Sequence, residues 1–500
     1  MNHKIVNMDL LKVYQVKGGK KKLVTVLGWG DPIQAGDPDG DGIPVAIKSR
    51  TQMADGSIKA DDLTGFVSKK ARFLDPIDND IMRFTLVDVQ QGDGAVLETP
   101  KGTKVFIDGG ENQMFARYLA TRFPGTSEDQ RLKVDAVIVT HGDADHVAGL
   151  VKVHASEKNA TAYKRIFIHP GKVLHNGLVK RPNEDDPRKA FGKTVDEDGK
   201  AYITDLADDP RTLKPEEVNK NFKSWIKALD DWAKAGPFKI ARLSDKTGAG
   251  ELAFLNSEGL EFLVLGPLEK TLANGKPALP LLREPPKAVP GEEPEASGGG
   301  PAGTAPRYSV SHTINGNSIV LLLVYGNIRL LLTGDINEES EEELVKRHEA
   351  GGIDLTADFL KAPHHGSADF SPEFLQKIQP VVSVISSGDE NERVEYIHPR
   401  ATLVGALGKY GRVERPLVFI TELVAFLKTM GYARLVDKND KPEGARFFSF
   451  KRESYGVVHL SFNKQRMLVF THSGKRDLKE AYAYTVDPGG QVRFDKLRTA

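Results

Sequence analysis

Four side chains that can bind metal ions crowd one six-residue segment, HGDADH, directly after the apolar run VDAVIVT. They are His141, Asp143, Asp145 and His146. Because so tight a turn can direct its side chains in two directions, one pair could bind one metal and the second pair another. The alternative is a polar turn that caps the following helix, which Asp143 or Asp145 alone would satisfy. The presence of all four favours a metal site.

Other apolar runs end in groups of the same kind. The run IRLLLTGD ends at Asp335, ADFLKAP leads directly to His364 and His365, and VVSVISSG precedes His398. Rigid strands can hold ligands within the narrow tolerance of a two-metal site, while the loops at their ends leave coordination positions open. The sequence therefore predicts that these residues join the HGDADH segment in one centre.

Composition limits the chemistry further. The 500 residues contain no cysteine, which excludes disulfides, a thiolate nucleophile and cysteine-based zinc sites. Lys plus Arg and Asp plus Glu both number 69, and this zero net charge argues against a broadly basic nucleic-acid coat or a polybasic membrane binder. The start of the chain lacks a signal-peptide pattern, and no apolar run reaches the ~18 residues that cross a bilayer. We expect a soluble, cytoplasmic protein.

Changes in composition and in the pattern of apolar residues along the chain predict three units. Residues 1–80 form short strand-like runs, which indicate a small β-rich region. Residues 82–411 alternate strands and helices and predict a layered α/β domain. Its middle, 170–310, is less regular and contains a Pro/Gly-rich linker at about 284–306. Residues 412–500 predict an α+β accessory unit.

Five segments have helical composition or periodicity. The first four are 113–122, 215–235, 338–349 and 372–378, and the last is an amphipathic stretch at 417–432.

The motifs in this order resemble those of the metallo-β-lactamase-fold hydrolases, and within them the hydrolase domain of ComEC-type DNA-uptake proteins. The matching segments are LVDVQQGDGAVLETPKGTKVFIDGG, THGDADHVAGL, NSIVLLLVYGNIRLLLTGD, ADFLKAPHHGS and a final HP. The resemblance covers about 82–411, interrupted by 170–310. It implies an αββα sandwich. The wider superfamily has H-x-H-x-D-H, and Asp143 at the second His position is typical of the ComEC-like branch.

The resemblance also assigns roles to the metal-binding side chains. It implies that His141 and Asp143 bind a first metal, that Asp145 and His146 bind a second, and that Asp335 bridges both. Two further carboxylates, Asp93 and Asp108, would shape the site.

The remaining histidines are assigned less uniquely. Either His364 or His365 should complete the second metal site, and His364 is favoured because it comes first after the strand. His312, in SHTINGNS, resembles a further first-metal ligand of the superfamily, although the spacing is two residues longer. His398 would face the substrate, where it could contact a phosphate or protonate a leaving group.

These assignments predict a hydrolase that uses two divalent metal ions, zinc or manganese, to activate a hydroxide. Asp143 in place of an imidazole makes the first site harder and shifts its preference towards manganese. The resemblance implies a phosphodiesterase or nuclease acting on DNA or RNA. A hydrolase of a small ester, lactone or nucleotide is the first alternative. The second is a partner-binding assembly module with a regulatory metal site, docking through 170–310 or the C-terminal unit. No membrane role is expected.

Overall fold

The computed structural model describes most of the chain. The described residues are 1–40, 42–52, 58–182, 184–284, 307–388, 398–424, 426–436, 442–454, 456–471 and 480–499. The predicted linker at 284–306 lies outside them except for Glu284. None of the helices in these ranges is both long and apolar enough to cross a membrane.

Two large sheets occupy the centre of the described structure. The strands of the first sheet, in spatial order, are Lys239–Arg242, Lys172–His175, Ala136–Val139, Lys104–Ile107, Ala95–Glu98, Met82–Val87, Val457–Phe462, Arg466–Thr471, Ala481–Val486 and Val492–Asp495. The strands of the second sheet are Glu261–Gly266, Val320–Tyr325, Ile328–Leu332, Phe359–Lys361, Val382–Ile385 and Leu417–Ile420.

The two sheets pack face to face. Phe84 and Ile138 of the first sheet lie in one hydrophobic cluster with Leu321, Leu330 and Val384 of the second. Along a strand successive side chains point to opposite faces, so neighbouring residues serve different layers. Strands buried on both faces read as continuous apolar runs, as VDAVIVT does.

Helices cover the outer face of each sheet. The α-helices are Met114–Arg122, Ala144–Ser156, Lys220–Ala235, Gly248–Leu252, Val310–Gly316, Glu338–Glu349, Pro372–Ile378 and Ala401–Tyr410. Phe115, Leu150 and Trp225 pack on the first sheet. Leu344 and Phe374 pack on the second. The order helix, sheet, sheet, helix confirms the predicted αββα sandwich.

Short 3-10 helices and smaller sheets complete the described structure. The 3-10 helices are Pro76–Asp78, Ala162–Lys164, Pro210–Thr212, Pro215–Glu217, Ala253–Glu258, Pro363–Gly366 and Glu422–Val424. A seven-stranded N-terminal sheet has the order Lys20–Gly28, Leu10–Lys17, Ile58–Val67, Ile43–Gln52, Pro32–Ala35, Asn2–Val6 and Phe73–Leu74. The remaining sheets contain Thr194–Glu197, Lys200–Ile203, Pro277–Pro280 and Lys270–Thr271; Leu132–Val134 and Ile168–Pro170; and Phe426–Val436 and Pro442–Ser454.

Four of the five predicted helical segments contain an observed helix. The segments 338–349 and 372–378 match their helices at both ends, while 113–122 and 215–235 begin before theirs. The helix predicted at 417–432 is wrong, because strand Leu417–Ile420 pairs in parallel with Val382–Ile385. The strand Phe426–Val436 follows. Sheet pairing decides such a segment, since its β-branched and aromatic residues suit a strand as well as a helix.

The irregular 170–310 region contributes strands to both large sheets. Its strands Lys172–His175 and Lys239–Arg242 extend the first sheet, and Glu261–Gly266 is an edge strand of the second. The first sheet also continues beyond 411, because Val457–Phe462 pairs with Met82–Val87. These strands are short, so their apolar pattern is weak in the sequence, although their pairing in the sheets is regular.

Parallel pairing places several strand ends at one edge of each sheet. In the first sheet, Lys104–Ile107 and Ala136–Val139 run parallel. In the second, Ile328–Leu332, Phe359–Lys361 and Val382–Ile385 do the same. Loops that leave the carboxyl ends of parallel strands meet at a common edge, which is where ligands bind in open α/β sheets. The HGDADH, TGD and HHGS segments all follow such ends.

Candidate metal centre

The HGDADH segment begins just after the strand Ala136–Val139 and runs into the helix Ala144–Ser156. Asp143 occupies the position before the first helical residue, but its side chain makes no capping hydrogen bond. The helix-cap alternative is therefore not realised by Asp143, and its carboxylate is directed elsewhere.

Four side chains converge into one cluster. Their ligand atoms all lie within 4.8 Å of one another, and they belong to Asp145, His146, Asp335 and His365. The Asp335 Oδ2 atom is 3.2 Å from His146 Nε2 and 2.8 Å from His365 Nε2. His365 Nε2 is also 3.4 Å from Asp145 Oδ2. Two carboxylates and two imidazoles at these separations form a donor set that suits zinc or manganese.

The ring of His146 is fixed from behind. Its Nδ1 atom is 2.8 Å from Asp108 Oδ2. Asp108 in turn accepts hydrogen bonds from the Thr140 backbone N–H at 2.8 Å and the Thr140 hydroxyl at 2.6 Å. A carboxylate that binds one ring nitrogen orients the other nitrogen towards a metal. Asp108 therefore holds the His146 ring in the orientation that faces the cluster.

The QGDG segment supports the cluster from another side. The Gln91 side chain donates to Asp145 Oδ2 at 3.1 Å. Gly92 has a positive φ of 102°, and a Cβ there would lie 1.7 Å from the Asp145 carbonyl oxygen. Only glycine allows this close approach. Asp93, the next residue, pairs with the buried ammonium of Lys361.

Lys361 contacts the cluster residue Asp335, and the sequence motifs did not reveal it. Its ammonium donates to the Gly334 carbonyl at 2.8 Å, pairs with Asp93 and lies 3.4 Å from Asp335 Oδ1. Burial opposes the charge, but Asp93 and Asp335 outweigh it and raise the pKa of Lys361. The available signal was a lysine at the end of the buried strand FLK, since buried lysines are rare unless they are paired.

The carboxylates set the electrostatics of the cluster. Burial alone would lower the pKa of His365, yet Asp335 and Asp145 raise it to about 10. Burial also lowers the pKa of His146, but Asp335 and Asp108 outweigh it and raise that pKa well above its usual value. The negative charge of the carboxylates therefore favours a positive charge on the two imidazoles.

His365, and not His364, belongs to the cluster. The favoured assignment of His364 stays a prediction that this cluster does not support, because the His364 Nε2 atom lies 3.1 Å from Asn315 Nδ2. Both histidines have left-handed backbones, with φ of 44° for His364 and 51° for His365. Two successive residues of this conformation turn the chain sharply, so the second side chain faces the metal cluster. A strand-end position alone could not reveal that turn.

His312 is also outside the four-residue cluster, and its expected role as a first-metal ligand stays a prediction. It lies on the helix Val310–Gly316, and its Nε2 atom is 3.2 Å from Asp369 Oδ2. The residue beside His141 is Ser318, whose Oγ atom is 3.2 Å from His141 Nδ1. The helix Val310–Gly316 therefore presents His312 to Asp369.

His141 and Asp143, the predicted first-metal ligands, lie next to the cluster. The His141 and His146 ring centroids are 4.0 Å apart. The Nε2 atom of His141 is buried and has no hydrogen-bond partner among the described residues. Burial and the neighbouring His146 hold the pKa of His141 well below its usual value, which keeps the imidazole neutral. Asp143 pairs with Lys180, at 2.6 Å between Oδ1 and Nζ.

His398 lies at the edge of the site. Its ring centroid is 5.8 Å from that of His364. Burial, with His364 and His365 adding to it, lowers the pKa of His398 to about 4. A neutral imidazole at neutral pH suits an N–H hydrogen bond to a substrate oxygen better than protonation of a leaving group.

The donor set fits a metal ion. A buried, unpartnered imidazole nitrogen on His141 and the clustered carboxylate and imidazole atoms are costly in a protein interior unless a cation satisfies them. Asp145, His146, Asp335 and His365 would hold one divalent ion, and His141 with Asp143 would contribute to a second. Bound ions would supply a water molecule of lowered pKa and stabilise negative charge on the substrate.

Metal removal tests this fit. We expect a saturating divalent ion to raise the melting temperature of chelator-treated protein, because an ion at 100 times its Kd stabilises the folded state by about 2.7 kcal/mol. Differential scanning calorimetry with and without manganese or zinc measures the shift. In the Asp335→Asn variant the shift should largely disappear. A shift of equal size in that variant would place the ion elsewhere.

Comparison with known proteins agrees with this architecture. Residues 87–213 match the metallo-beta-lactamase superfamily. The chain is 34% identical over 97 residues to ComE operon protein 3 of Bacillus subtilis (strain 168), and 37% identical over 98 residues to competence protein ComA of Neisseria gonorrhoeae. Each stretch covers 19% of this chain but only 12% and 13% of those relatives.

One solved structure is also similar. It is titled Tm1679, a metal-dependent hydrolase of the beta-lactamase superfamily, and shares 11% identity. The match covers 68% of this chain and 96% of that one, with a TM-score of 0.31. The superfamily match and the αββα architecture agree: the chain contains a metallo-β-lactamase domain with the metallo-β-lactamase fold, and its relatives over part of that domain are ComEC-like.

Proposed function

We propose that this protein is a metal-dependent phosphodiesterase, and specifically a nuclease that cleaves DNA or RNA. The observation that carries the proposal is the convergence of Asp145, His146, Asp335 and His365. Hydrolases of this superfamily use divalent metals, and a carboxylate-rich donor set suits ions that bind phosphate oxygens. The nucleic-acid substrate is supported by the resemblance to ComEC-type proteins.

The protein's own groups have separate tasks in this proposal. Asp145 and Asp335 present carboxylate oxygens to the ions, and Asp335 is held by Lys361 through its other oxygen. Asp108 keeps His146 in one orientation. The neutral His398 donates an N–H hydrogen bond to a non-bridging oxygen of the phosphodiester. Positioned groups of this kind lower the barrier because they need no reorganisation during the reaction.

A cavity that borders the centre at Ser318, the neighbour of His141, does not favour the small-molecule alternative. The cavity of about 750 Å³ is lined by Tyr202, Leu268, Ser318 and Ile336, and by none of the four cluster residues. A lactone or ester hydrolase needs its apolar pocket in contact with the reacting atoms. No observation on the described residues favours the assembly alternative over catalysis.

The test is a substrate panel with matched variants. Protein loaded with manganese or zinc is incubated with plasmid, linear and single-stranded DNA, RNA, bis-p-nitrophenyl phosphate, a lactone and a carboxylic ester. We expect phosphodiester turnover that falls by more than about 100-fold in Asp145→Ala, because a metal ligand matters more than its supporting partners. The exposed Asp129, changed to alanine, is the control and should keep wild-type turnover.

Two results would contradict the proposal. Turnover of lactones or esters alone would indicate the small-molecule alternative. Equal phosphodiester turnover in wild type and Asp145→Ala would identify a contaminating nuclease.

A further inference from the structure

A lysine lies in the part of the centre formed by His141 and Asp143, which should hold the first metal. The Lys180 Nζ atom is 2.6 Å from Asp143 Oδ1, and the two side chains are 24% and 22% exposed. Lys180 follows the strand Lys172–His175 in the 170–310 region, where the sequence offers no motif.

The segment that carries Lys180 is fixed in place. Leu178 and Val179 are buried, and the Lys180 carbonyl accepts a hydrogen bond from the Asn219 N–H at 3.0 Å. The Asn176 side chain donates to the Asn317 carbonyl at 2.9 Å, which ties the segment to the loop before the second sheet's strand Val320–Tyr325. The ammonium is therefore presented to Asp143 by a packed segment.

The two halves of the centre differ in their free donors. One half has four ligand atoms that converge. In the other half, His141 offers its Nε2 atom, but one oxygen of Asp143 is already paired with an ammonium. His312, the further ligand expected for this half, pairs with Asp369 instead.

We propose that Lys180 is a built-in counter-cation that weakens divalent metal binding at His141 and Asp143. The protein then binds one divalent ion tightly and a second weakly. Lys180 withdraws one oxygen of Asp143 and places a positive charge beside any ion on the other oxygen, and like charges at such range repel strongly. This inference rests on the metal centre of the proposed function and adds how the two halves are filled.

The direction in which one substitution changes metal affinity distinguishes a counter-cation from a residue that supports a ligand. Removing a counter-cation should tighten the weak site by at least about 10-fold, because the repulsion is lost. Removing a residue that merely orients Asp143 as a ligand should weaken that site by about 10–100-fold.

Isothermal titration calorimetry of chelator-treated protein with manganese provides the measurement, and elemental analysis gives the stoichiometry. We expect wild type to show one tight and one weak equivalent, and Lys180→Met to tighten only the weak one. Lys180→Gln keeps a polar side chain without the charge and should act in the same direction. The neighbouring Arg181, which pairs with Asp205, provides the matched control as Arg181→Met and should leave both equivalents unchanged.

Three outcomes would overturn the inference. The first is two manganese ions bound with equal affinity in wild type. The second is an unchanged affinity of the weak site in both Lys180 variants. The third is a lower affinity of that site in those variants. None of these measures hydrolysis, so each leaves the proposed function standing as long as one equivalent binds. Absence of any bound metal would overturn both.

Discussion

Changing His365 to glutamine should remove the tight metal equivalent, whereas the same change at His364 should preserve it. His365 Nε2 is 2.8 Å from Asp335 Oδ2 and 3.4 Å from Asp145 Oδ2, so it completes the donor set. His364 Nε2 faces Asn315 instead. Loss of a direct ligand should lower the affinity by more than the roughly 100-fold that loss of a supporting partner costs.

The pair of adjacent histidines provides its own control. Both have left-handed backbones, so both variants meet the same backbone strain. Metal affinity is measured by calorimetry, and the melting temperature of each metal-free variant shows whether it folds. If His364→Gln loses the metal and His365→Gln keeps it, the assignment of the two histidines is reversed.

Lys361→Met should destabilise the protein strongly even without metal. The change leaves Asp93 and Asp335 buried without the ammonium that pairs with them. Breaking a buried ion pair by removing one partner typically costs about 3–5 kcal/mol, because an uncompensated charge remains. Urea unfolding in the presence of chelator measures the loss without a contribution from bound ions.

A second substitution separates charge from packing. Adding Asp93→Asn to Lys361→Met removes one of the two buried carboxylates that have lost their ammonium partner. The double variant should therefore recover about half of the lost free energy of unfolding. Lys346→Met serves as a surface control, since its side chain is 65% exposed and the change should stay within about 0.5 kcal/mol. No recovery in the double variant would mean that Lys361 acts through packing alone.

Much of the architecture follows from local sequence. The apolar runs that precede Thr140, Asp335 and His364 are buried strands because only strands give such short continuous apolar segments in a layered fold. The helices 338–349 and 372–378 were predicted from their helical composition or periodicity, and in the structure the side chains of Asn337 and Ser371 cap them. The 417–432 segment was not, since its partner strand is distant in the chain.

The sequence by itself determined the donor types, their order, and the strand ends that present them. Asp145, His146 and Asp335 could be named because imidazoles and carboxylates directly after apolar strands are held rigidly enough to bind a metal. Only the tertiary structure placed His365 rather than His364 in the four-residue cluster, paired His312 with Asp369, and brought Lys361 and Lys180 against the carboxylates. These outcomes depend on backbone turns and on contacts between residues far apart in the chain, and neither leaves a local pattern in the sequence.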